Sequence, residues 1–172
     1  MDFLVALVAQ YALFVVALGA CLVWLTLPRP EKLALAFEVL VAVVVVALLV
    51  KLVGAVHTDP RPFVVDPRLK PLFAHPADNG FPSDHTALAA AVAFLVLVHR
   101  RWAGIALLLV TVALGAARVA AHVHHTEDIV AGLLIGAAAA FGGWAAWRAV
   151  AASDRGAVVI AKLLPHEATL RH

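Results

Sequence analysis

The stretch LALAFEVLVAVVVVALLV, residues 33–50, is apolar apart from one acid and is long enough, as a helix, to cross a bilayer. In lipid such a run must satisfy its backbone hydrogen bonds internally, so it predicts an α-helix. The rest of the chain is similar: 64% of its 172 residues are hydrophobic and 14% are charged. The mean hydropathy is +0.98. This composition indicates a polytopic membrane protein with a single domain, residues 1–172, and excludes a soluble globular one.

Five apolar segments, the quoted stretch included, are candidates for membrane helices. They are about Phe3–Leu27, Leu33–Val56, Ser83–Val98, Trp102–Val119 and Ile129–Val150. The third is short, because sixteen residues extend only about 24 Å against a hydrocarbon core of ~30 Å. We therefore predict an all-α bundle of five transmembrane helices, with its functional core at about residues 51–150. The mixed tail from Ala151 is expected to lie in water or at the interface.

The first apolar segment contains the only cysteine, Cys21, so no intrachain disulfide can form. The run Leu18-Gly19-Ala20-Cys21 loosely resembles a lipoprotein processing site. However, no basic residue precedes it and the apolar run continues past the cysteine, so we expect residues 3–27 to be retained as a helix. The formal net charge of +2 is too small to indicate a nucleic-acid partner.

The basic residues predict the orientation of the chain. Five helices place the termini on opposite sides, and the C-terminal side carries eight Lys or Arg against five on the other. The eight are Arg29, Lys32, Arg100, Arg101, Arg148, Arg155, Lys162 and Arg171, and the five are Lys51, Arg61, Arg68, Lys70 and Arg118. We expect the C-terminal side to be cytoplasmic and the other side to face away from the cytosol.

Three polar clusters fall on that outward side, each at the end of an apolar segment: HTDPRPF (57–63), FPSDH (81–85) and RVAAHVHHTED (118–128). Six of the nine prolines lie in segment 57–82, which excludes a long helix there. Titratable groups are costly at membrane depth, so a group of them usually marks a functional site. We therefore expect the three clusters to form one site.

In FPSDH, Ser83 is a good N-cap for the apolar run that follows. The first amides of that helix, from Asp84 onward, would then point into the site and could bind an anion. The alternative is a plain cap with the Asp84 side chain solvated in the first turn.

In RVAAHVHHTED, His124 and Asp128 are four residues apart, so on a helix they lie within hydrogen-bond reach. The carboxylate would fix one tautomer of the imidazole and leave the other nitrogen as a nucleophile or base. Arg118 and Arg61 offer permanent cations suited to a phosphate. Any one of these residues alone is better explained by snorkelling to the interface or by a satisfied histidine.

A metal site is an alternative for the histidines of this stretch, since His122, His124, His125 and Asp128 could in principle bind zinc. However, His122 and His125 form no i, i+4 pair with His124, and no cysteine or second histidine-bearing helix supports haem. We therefore expect no metal and no other cofactor.

Together, the three clusters resemble the motifs of the type 2 phosphatidic acid phosphatase superfamily of integral membrane phosphatases. The family has Lys, six residues, then Arg-Pro; next Pro-Ser-any-His; and finally Ser-Arg, five residues, His, three residues, Asp. The residues that match are Arg61-Pro62, Pro82-Ser83-Asp84-His85, Arg118, His124 and Asp128.

The chain departs from the family pattern at two positions. Ala117 replaces the serine of the third motif, and Gly54 replaces the lysine of the first. Lys51, one helical turn earlier, is the candidate substitute for that lysine. The diverged first motif, the short chain and the Pro-Arg-Pro-Phe run most resemble the bacterial undecaprenyl pyrophosphate phosphatase branch.

This resemblance implies a metal-independent hydrolase of the bacterial plasma membrane that converts undecaprenyl pyrophosphate to undecaprenyl phosphate and recycles the carrier for cell-wall synthesis. His124 would attack the terminal phosphorus and form a phosphohistidine, with Asp128 orienting it. His85 would protonate the leaving oxygen and then activate water. The groups implied to hold the phosphoryl oxygens are Arg61, Arg118, Ser83, the backbone of Asp84 and, as the candidate substitute, Lys51.

Partners implied by the resemblance are the polyprenyl pyrophosphate and membrane lipids. Two alternatives remain open: a glycerolipid phosphatase of the same fold, acting on phosphatidic acid or phosphatidylglycerophosphate, and a catalytically silent lipid-phosphate binder or transporter. The presence of His85, His124 and Asp128 argues against a silent binder, because binding alone requires no nucleophile.

Overall fold

The computed structural model describes residues 1–164. This part of the chain contains seven α-helices and no β-strand; its only ladder contact is a bridge between Pro60 and Asn79. The helices are α1 (Asp2–Thr26), α2 (Arg29–Val56), α3 (Pro62–Val65), α4 (Asp84–His99), α5 (Arg101–Ala120), α6 (Thr126–Ala152) and α7 (Asp154–Leu163). The prediction of an all-α membrane bundle is confirmed. Part of the predicted tail forms α7, whereas residues 165–172, with Arg171, lie outside the described residues.

Four helices of the described chain, rather than the predicted five, are long and apolar enough to cross a membrane: α1, α2, α5 and α6. The third predicted span, which forms α4, has 16 residues, so it extends only about 24 Å. Its start is fixed by Ser83, whose backbone N–H donates to the carbonyl of Asp128 at 3.1 Å. That bond places the beginning of α4 beside the first turn of α6, where the segment 57–83 enters the bundle.

The short helix α4 lies at the centre of the bundle and packs against α1, α2, α5 and α6. Its inner surface consists largely of fully buried alanines, which allow neighbouring backbones to approach closely. The closest approach is made by α6, whose Gly132 and Gly136 face α4. A Cβ at Gly136 would lie 2.6 Å from the carbonyl oxygen of Ala87. These two glycines therefore allow close packing between α4 and α6.

The contact at Gly136 predicts how a substitution there changes the stability of the protein. Because the added methyl group would meet backbone atoms of α4, we expect Gly136→Ala to destabilise the protein by about 1–3 kcal/mol. The matched control is Gly142→Ala on the same helix, where a Cβ would meet nothing within 4 Å. That variant should be neutral or gain up to about 1 kcal/mol of helix propensity. Thermal unfolding of both variants in detergent measures the difference, and equal midpoints would contradict the packing argument.

Candidate active site

A cavity of about 380 Å³ opens at the end of the bundle where the connections 57–83 and 121–125 meet. All three polar clusters contribute to its wall. The ionisable residues that matter for its chemistry are Arg61, His75, Asp84, His85, Arg118 and His124. Segments that are 60 residues apart in sequence therefore form one site.

The centre of this site is the pair His124 and Asp128. Nδ1 of His124 lies 3.0 Å from Oδ2 of Asp128, and the two side chains are 2% and 0% exposed. The pair does not lie on one helix as predicted, because α6 begins at Thr126. Instead, the same Oδ2 accepts the backbone N–H of His125 at 2.8 Å and so caps α6. This cap fixes the carboxylate beside the imidazole.

The environment of His124 favours its neutral form. Burial lowers its pKa, the hydrogen bond that its ring donates to Asp128 acts in the opposite direction, and the positive charges of Arg118 and Arg61 lower the pKa further. With Nδ1 donating to the carboxylate, Nε2 carries a free lone pair. This nitrogen lies 3.5 Å from Nη1 of Arg61, at the wall of the cavity. The geometry is that of an oriented nucleophile or base.

Arg61 is buried and held from two sides. Its Nη1 donates to the carbonyl of Val123 at 2.7 Å, and its Nε and Nη2 approach Oδ1 of Asp78 at 2.9 Å and 2.8 Å. The residue is the N-cap of α3, whose first residue is Pro62. A proline at this position suits the first turn of a helix, so the local sequence sets the direction of the arginine.

Arg118 lies in the last turn of α5 and reaches across the bundle. Its Nη1 donates to the carbonyl of Ala9 in α1 at 3.1 Å, and its Nη2 lies 3.1 Å from Nε2 of His75. Its Nε is buried and has no partner in the described chain. The two arginines therefore enter one cavity from different elements, and each keeps donor capacity for an anion.

At the start of α4, the N-cap prediction is confirmed, because the hydroxyl of Ser83 accepts the N–H of Thr86 at 3.4 Å. This hydroxyl is buried and does not line the cavity. The next residue acts differently: Oδ1 of Asp84 lies 2.7 Å from both the backbone N and Nδ1 of His85. The carboxylate therefore orients the His85 ring and leaves its Nε2 available.

The position of the missing motif lysine is packed against backbone. A Cβ at Gly54 would lie 3.0 Å from the carbonyl oxygen of Phe81. The side chain of Asn79 fastens the same loop, donating to the carbonyls of Gly54 at 3.0 Å and His57 at 3.1 Å. Lys51 is exposed on α2 and is not among the residues that line the cavity.

Several residues of the site had no role in the sequence analysis. His75 and Asp78 line the cavity, and Gly80 lies against the carboxylate of Asp128, where a Cβ would be 3.3 Å from Oδ2. Their only sequence signal is their place in the proline-rich segment between two motifs. No spacing rule could have selected them, because they reach the site through a loop.

Two other histidines of the stretch 118–128 have local structural contacts. His122 has a positive φ of 60° and its Nδ1 lies 3.1 Å from the carbonyl oxygen of Lys70. His125 lies 3.2 Å from the carbonyl oxygen of Pro60. Within residues 1–164, no three or more His, Cys, Asp or Glu side chains are arranged to hold a metal ion.

Outside this stretch, three residues of the segment 57–83 do not line the cavity. The ring of His57 packs edge-on against Phe81 at 4.5 Å. Asp66 is a solvated loop acid paired with Arg68 at 2.8 Å. The Asp59 side chain is 16% exposed; burial raises its pKa, and its Oδ1 lies 3.8 Å from Nε2 of His125.

The chain matches a family model described as the PAP2 superfamily over residues 33–152. It is 35% identical over 128 residues to the bacitracin transport permease protein BcrC of Bacillus licheniformis. That alignment covers 74% of this chain and 63% of the relative. It is 28% identical over 138 residues to the undecaprenyl-diphosphatase BcrC of Bacillus subtilis, with 78% and 69% covered.

Among solved structures, the chain is similar to LpxE of Aquifex aeolicus. The TM-score is 0.65 at 26% sequence identity, and the match covers 83% of this chain and 84% of that one. The fold similarity and the three sequence motifs therefore indicate the same family.

Proposed function

Because this chain belongs to the PAP2 superfamily, we propose that it is a membrane-embedded lipid phosphatase that hydrolyses undecaprenyl pyrophosphate or a similar polyprenyl pyrophosphate. The observation that carries the proposal is the single cavity in which an oriented histidine, a second histidine and two arginines meet. The name of the Bacillus subtilis relative, an undecaprenyl-diphosphatase, supports the substrate class, and the alignment covers 69% of that protein.

The proposed reaction begins with attack by Nε2 of His124 on the terminal phosphorus. A bond from nitrogen to phosphorus forms as the bridging P–O bond breaks, and His85 gives its proton to the leaving lipid phosphate. His85 then takes a proton from water, which displaces the phosphoryl group from His124 and releases inorganic phosphate. Asp128 keeps the attacking tautomer in place and stabilises the positive charge that develops on the ring.

Charge stabilisation is the second part of the proposal. The phosphoryl group spreads negative charge over its oxygens during transfer, and preorganised cations lower the barrier. Arg61 and Arg118 are bound to carbonyl oxygens that hold them in place, so they need little reorganisation. The amides that open α4 would add further donors. The nucleophile, the general acid and the groups that would bind the phosphoryl oxygens all belong to the protein, so we propose that no metal is required.

An apolar groove of about 270 Å³ offers a surface for a lipid tail, although it shares no lining residue with the cavity. It is lined by α1, α2 and α4, with Ala17, Trp24, Val39 and Val92 among its residues. A long prenyl chain can follow such a surface deep into the bilayer, which would bury apolar area and position the headgroup.

The substrate proposal predicts a preference for lipid pyrophosphates. We expect kcat/KM for undecaprenyl or farnesyl pyrophosphate to exceed that for phosphatidic acid by about tenfold or more, roughly 1.4 kcal/mol in transition-state binding. Phosphate release by purified protein, with EDTA present throughout, measures this. Equal or better efficiency on phosphatidic acid or phosphatidylglycerophosphate would favour a glycerolipid phosphatase.

Loss of activity in EDTA with recovery in zinc would contradict the metal-free mechanism.

We further propose that the cavity faces the extracytoplasmic side and that the C-terminus is cytoplasmic. The support is the excess of basic residues at the opposite end of the bundle, where Arg101 and Arg148 also lie over the rings of Trp102 and Trp144.

This orientation can be tested by labelling single cysteines in a Cys21→Ser background. Ala77→Cys lies at the exposed edge of the cavity, and Arg101→Cys lies at the exposed opposite end. In intact cells an impermeant maleimide should label the first and not the second, and both should label after permeabilisation. The reverse pattern would place the site in the cytosol.

A further inference from the structure

Of the three histidines that line the cavity, His75 is the one that the proposed reaction does not use. It lies in the loop between α3 and α4, followed by Pro76, and its ring packs against Phe73 at 5.9 Å. The ring is also 6.3 Å from that of His124, centroid to centroid. A loop histidine is therefore held beside the nucleophile, on a wall that the three motifs do not supply.

The hydrogen bonds of His75 define its protonation state. Arginine can only donate, so Nε2 of His75, 3.1 Å from Nη2 of Arg118, must be the acceptor. The proton of the neutral ring is then on Nδ1, which lies 3.3 Å from the carbonyl oxygen of Pro76. The ring is thus neutral, with a lone pair directed toward a guanidinium at the cavity wall.

The charges around His75 explain this state. Burial lowers its pKa, and the positive charges of Arg61 and Arg118 lower it further, with His124 acting in the same direction. The carboxylates at this cavity are engaged elsewhere, Asp78 with Arg61 and Asp84 with His85. The electrostatic potential at His75 is therefore positive until an anion enters the cavity.

A bound phosphorylated headgroup would make the electrostatic potential at His75 negative. A phosphate brings up to two negative charges within a few ångströms of the ring, and opposite charge at that distance favours the protonated imidazole. Arg118 would turn its Nη2 donor toward the phosphate, and Nε2 of His75 would lose its partner. A proton taken up from water would then convert Nε2 from an acceptor to a second donor beside Arg118.

We propose that His75 is a phosphate-binding residue that is neutral without substrate and becomes a third cationic contact, beside Arg61 and Arg118, when the phosphorylated headgroup binds. The inference rests on the proposed phosphatase function. It assigns the residue a charge role, which differs from merely positioning Arg118.

Two substitutions separate these roles. His75→Gln keeps an acceptor for Arg118 but cannot take up a proton, and His75→Lys keeps the positive charge but cannot accept. On farnesyl pyrophosphate near pH 6.5, we expect the Gln variant to lose about tenfold or more in kcat/KM, the cost of a charged hydrogen bond. The Lys variant should stay within about threefold of wild type. Wild-type behaviour of the Gln variant with loss in the Lys variant would overturn the proposal.

The pH profile supplies a second readout. Because His75 takes up a proton when substrate binds, kcat/KM of the wild type should fall as pH rises above the lowered pKa of His75. The kcat/KM of the Gln variant should fall less steeply over the same pH range. The control is His122→Asn, a loop histidine outside the cavity whose positive φ asparagine tolerates. It should keep the wild-type profile. Identical profiles for wild type and the Gln variant would overturn the charge role.

A binding experiment keeps the inference independent of turnover. In protein labelled with ¹⁵N-histidine, the ring nitrogens of His75 should change from the neutral to the cationic pattern when inorganic phosphate is added near pH 6.5. An unchanged neutral pattern with phosphate bound elsewhere in the cavity would overturn the proposal, even if the Lys variant does not fold. Absence of lipid pyrophosphate hydrolysis by the wild type would instead contradict the proposed function, leaving this readout intact.

Discussion

Replacing His124 by alanine is expected to lower kcat by about four orders of magnitude or more, because the variant loses the buried imidazole that Asp128 orients for the attack. The imidazole is 2% exposed and its Nε2 is directed to the cavity beside Arg61. Water could attack the phosphorus directly in the variant, but without an oriented nucleophile that route is slow. Steady-state kinetics on farnesyl pyrophosphate measure the loss.

The intermediate itself provides a sharper measurement. With ³²P-labelled substrate and rapid quenching, the wild type should carry an acid-labile phosphoryl group, and His124→Ala should carry none. His85→Ala should accumulate the label if slow hydrolysis limits its turnover. His122→Asn is the matched histidine control and should retain full activity. Turnover of His124→Ala within tenfold of wild type, or labelling of that variant, would place the nucleophile elsewhere.

Replacing Asp128 by asparagine is expected to lower kcat by about 10³–10⁴-fold while leaving the fold intact. In the place of Oδ2, the amide oxygen of asparagine would still accept Nδ1–H of His124, but a neutral acceptor makes a weaker hydrogen bond than a carboxylate and orients the ring less firmly. The lost carboxylate would also no longer stabilise the cationic ring. The same amide oxygen would accept the N–H of His125, as Oδ2 does, so the cap of α6 survives.

Two measurements test the role of this carboxylate. The thermal midpoint of Asp128→Asn in detergent should stay close to that of the wild type, whereas kcat should fall with little change in KM. Unfolding of the variant would make the loss structural, and Asp128→Glu then becomes the informative comparison because it keeps the charge. Activity within tenfold of wild type in a folded Asn variant would contradict an orienting role.

The membrane class, the helical fold and the motif residues were predictable from the sequence because each depends on local information. An apolar run such as 33–50 must be a helix in lipid, whatever its neighbours are. Ser83 predicts the start of α4 because a cap is made within four residues. The predicted segments Leu33–Val56 and Trp102–Val119 became α2 and α5, which begin and end within four residues of those bounds.

The count of spanning helices and the geometry of the key pair were not predictable in the same way. The start of α4 depends on a bond to the first turn of α6, so its 16 residues stay short of a full span. His124 and Asp128 have the spacing of a helix, yet they meet across a helix cap. The spacing was correct although the assumed backbone was wrong, because a cap and a helical turn both bring such residues together.

Tertiary structure alone decided which side chains the bundle brings together. Arg118 reaches the carbonyl of Ala9, 109 residues away, and His75. At the opposite end, the single acid of the stretch 33–50, Glu38, is buried and lies 2.8 Å from Nε2 of His99. A membrane helix is apolar on its lipid side as well as its protein side, so its sequence carries little periodic signal for which face packs inward. The rotation of each helix, and with it the site, is determined only when the helices pack.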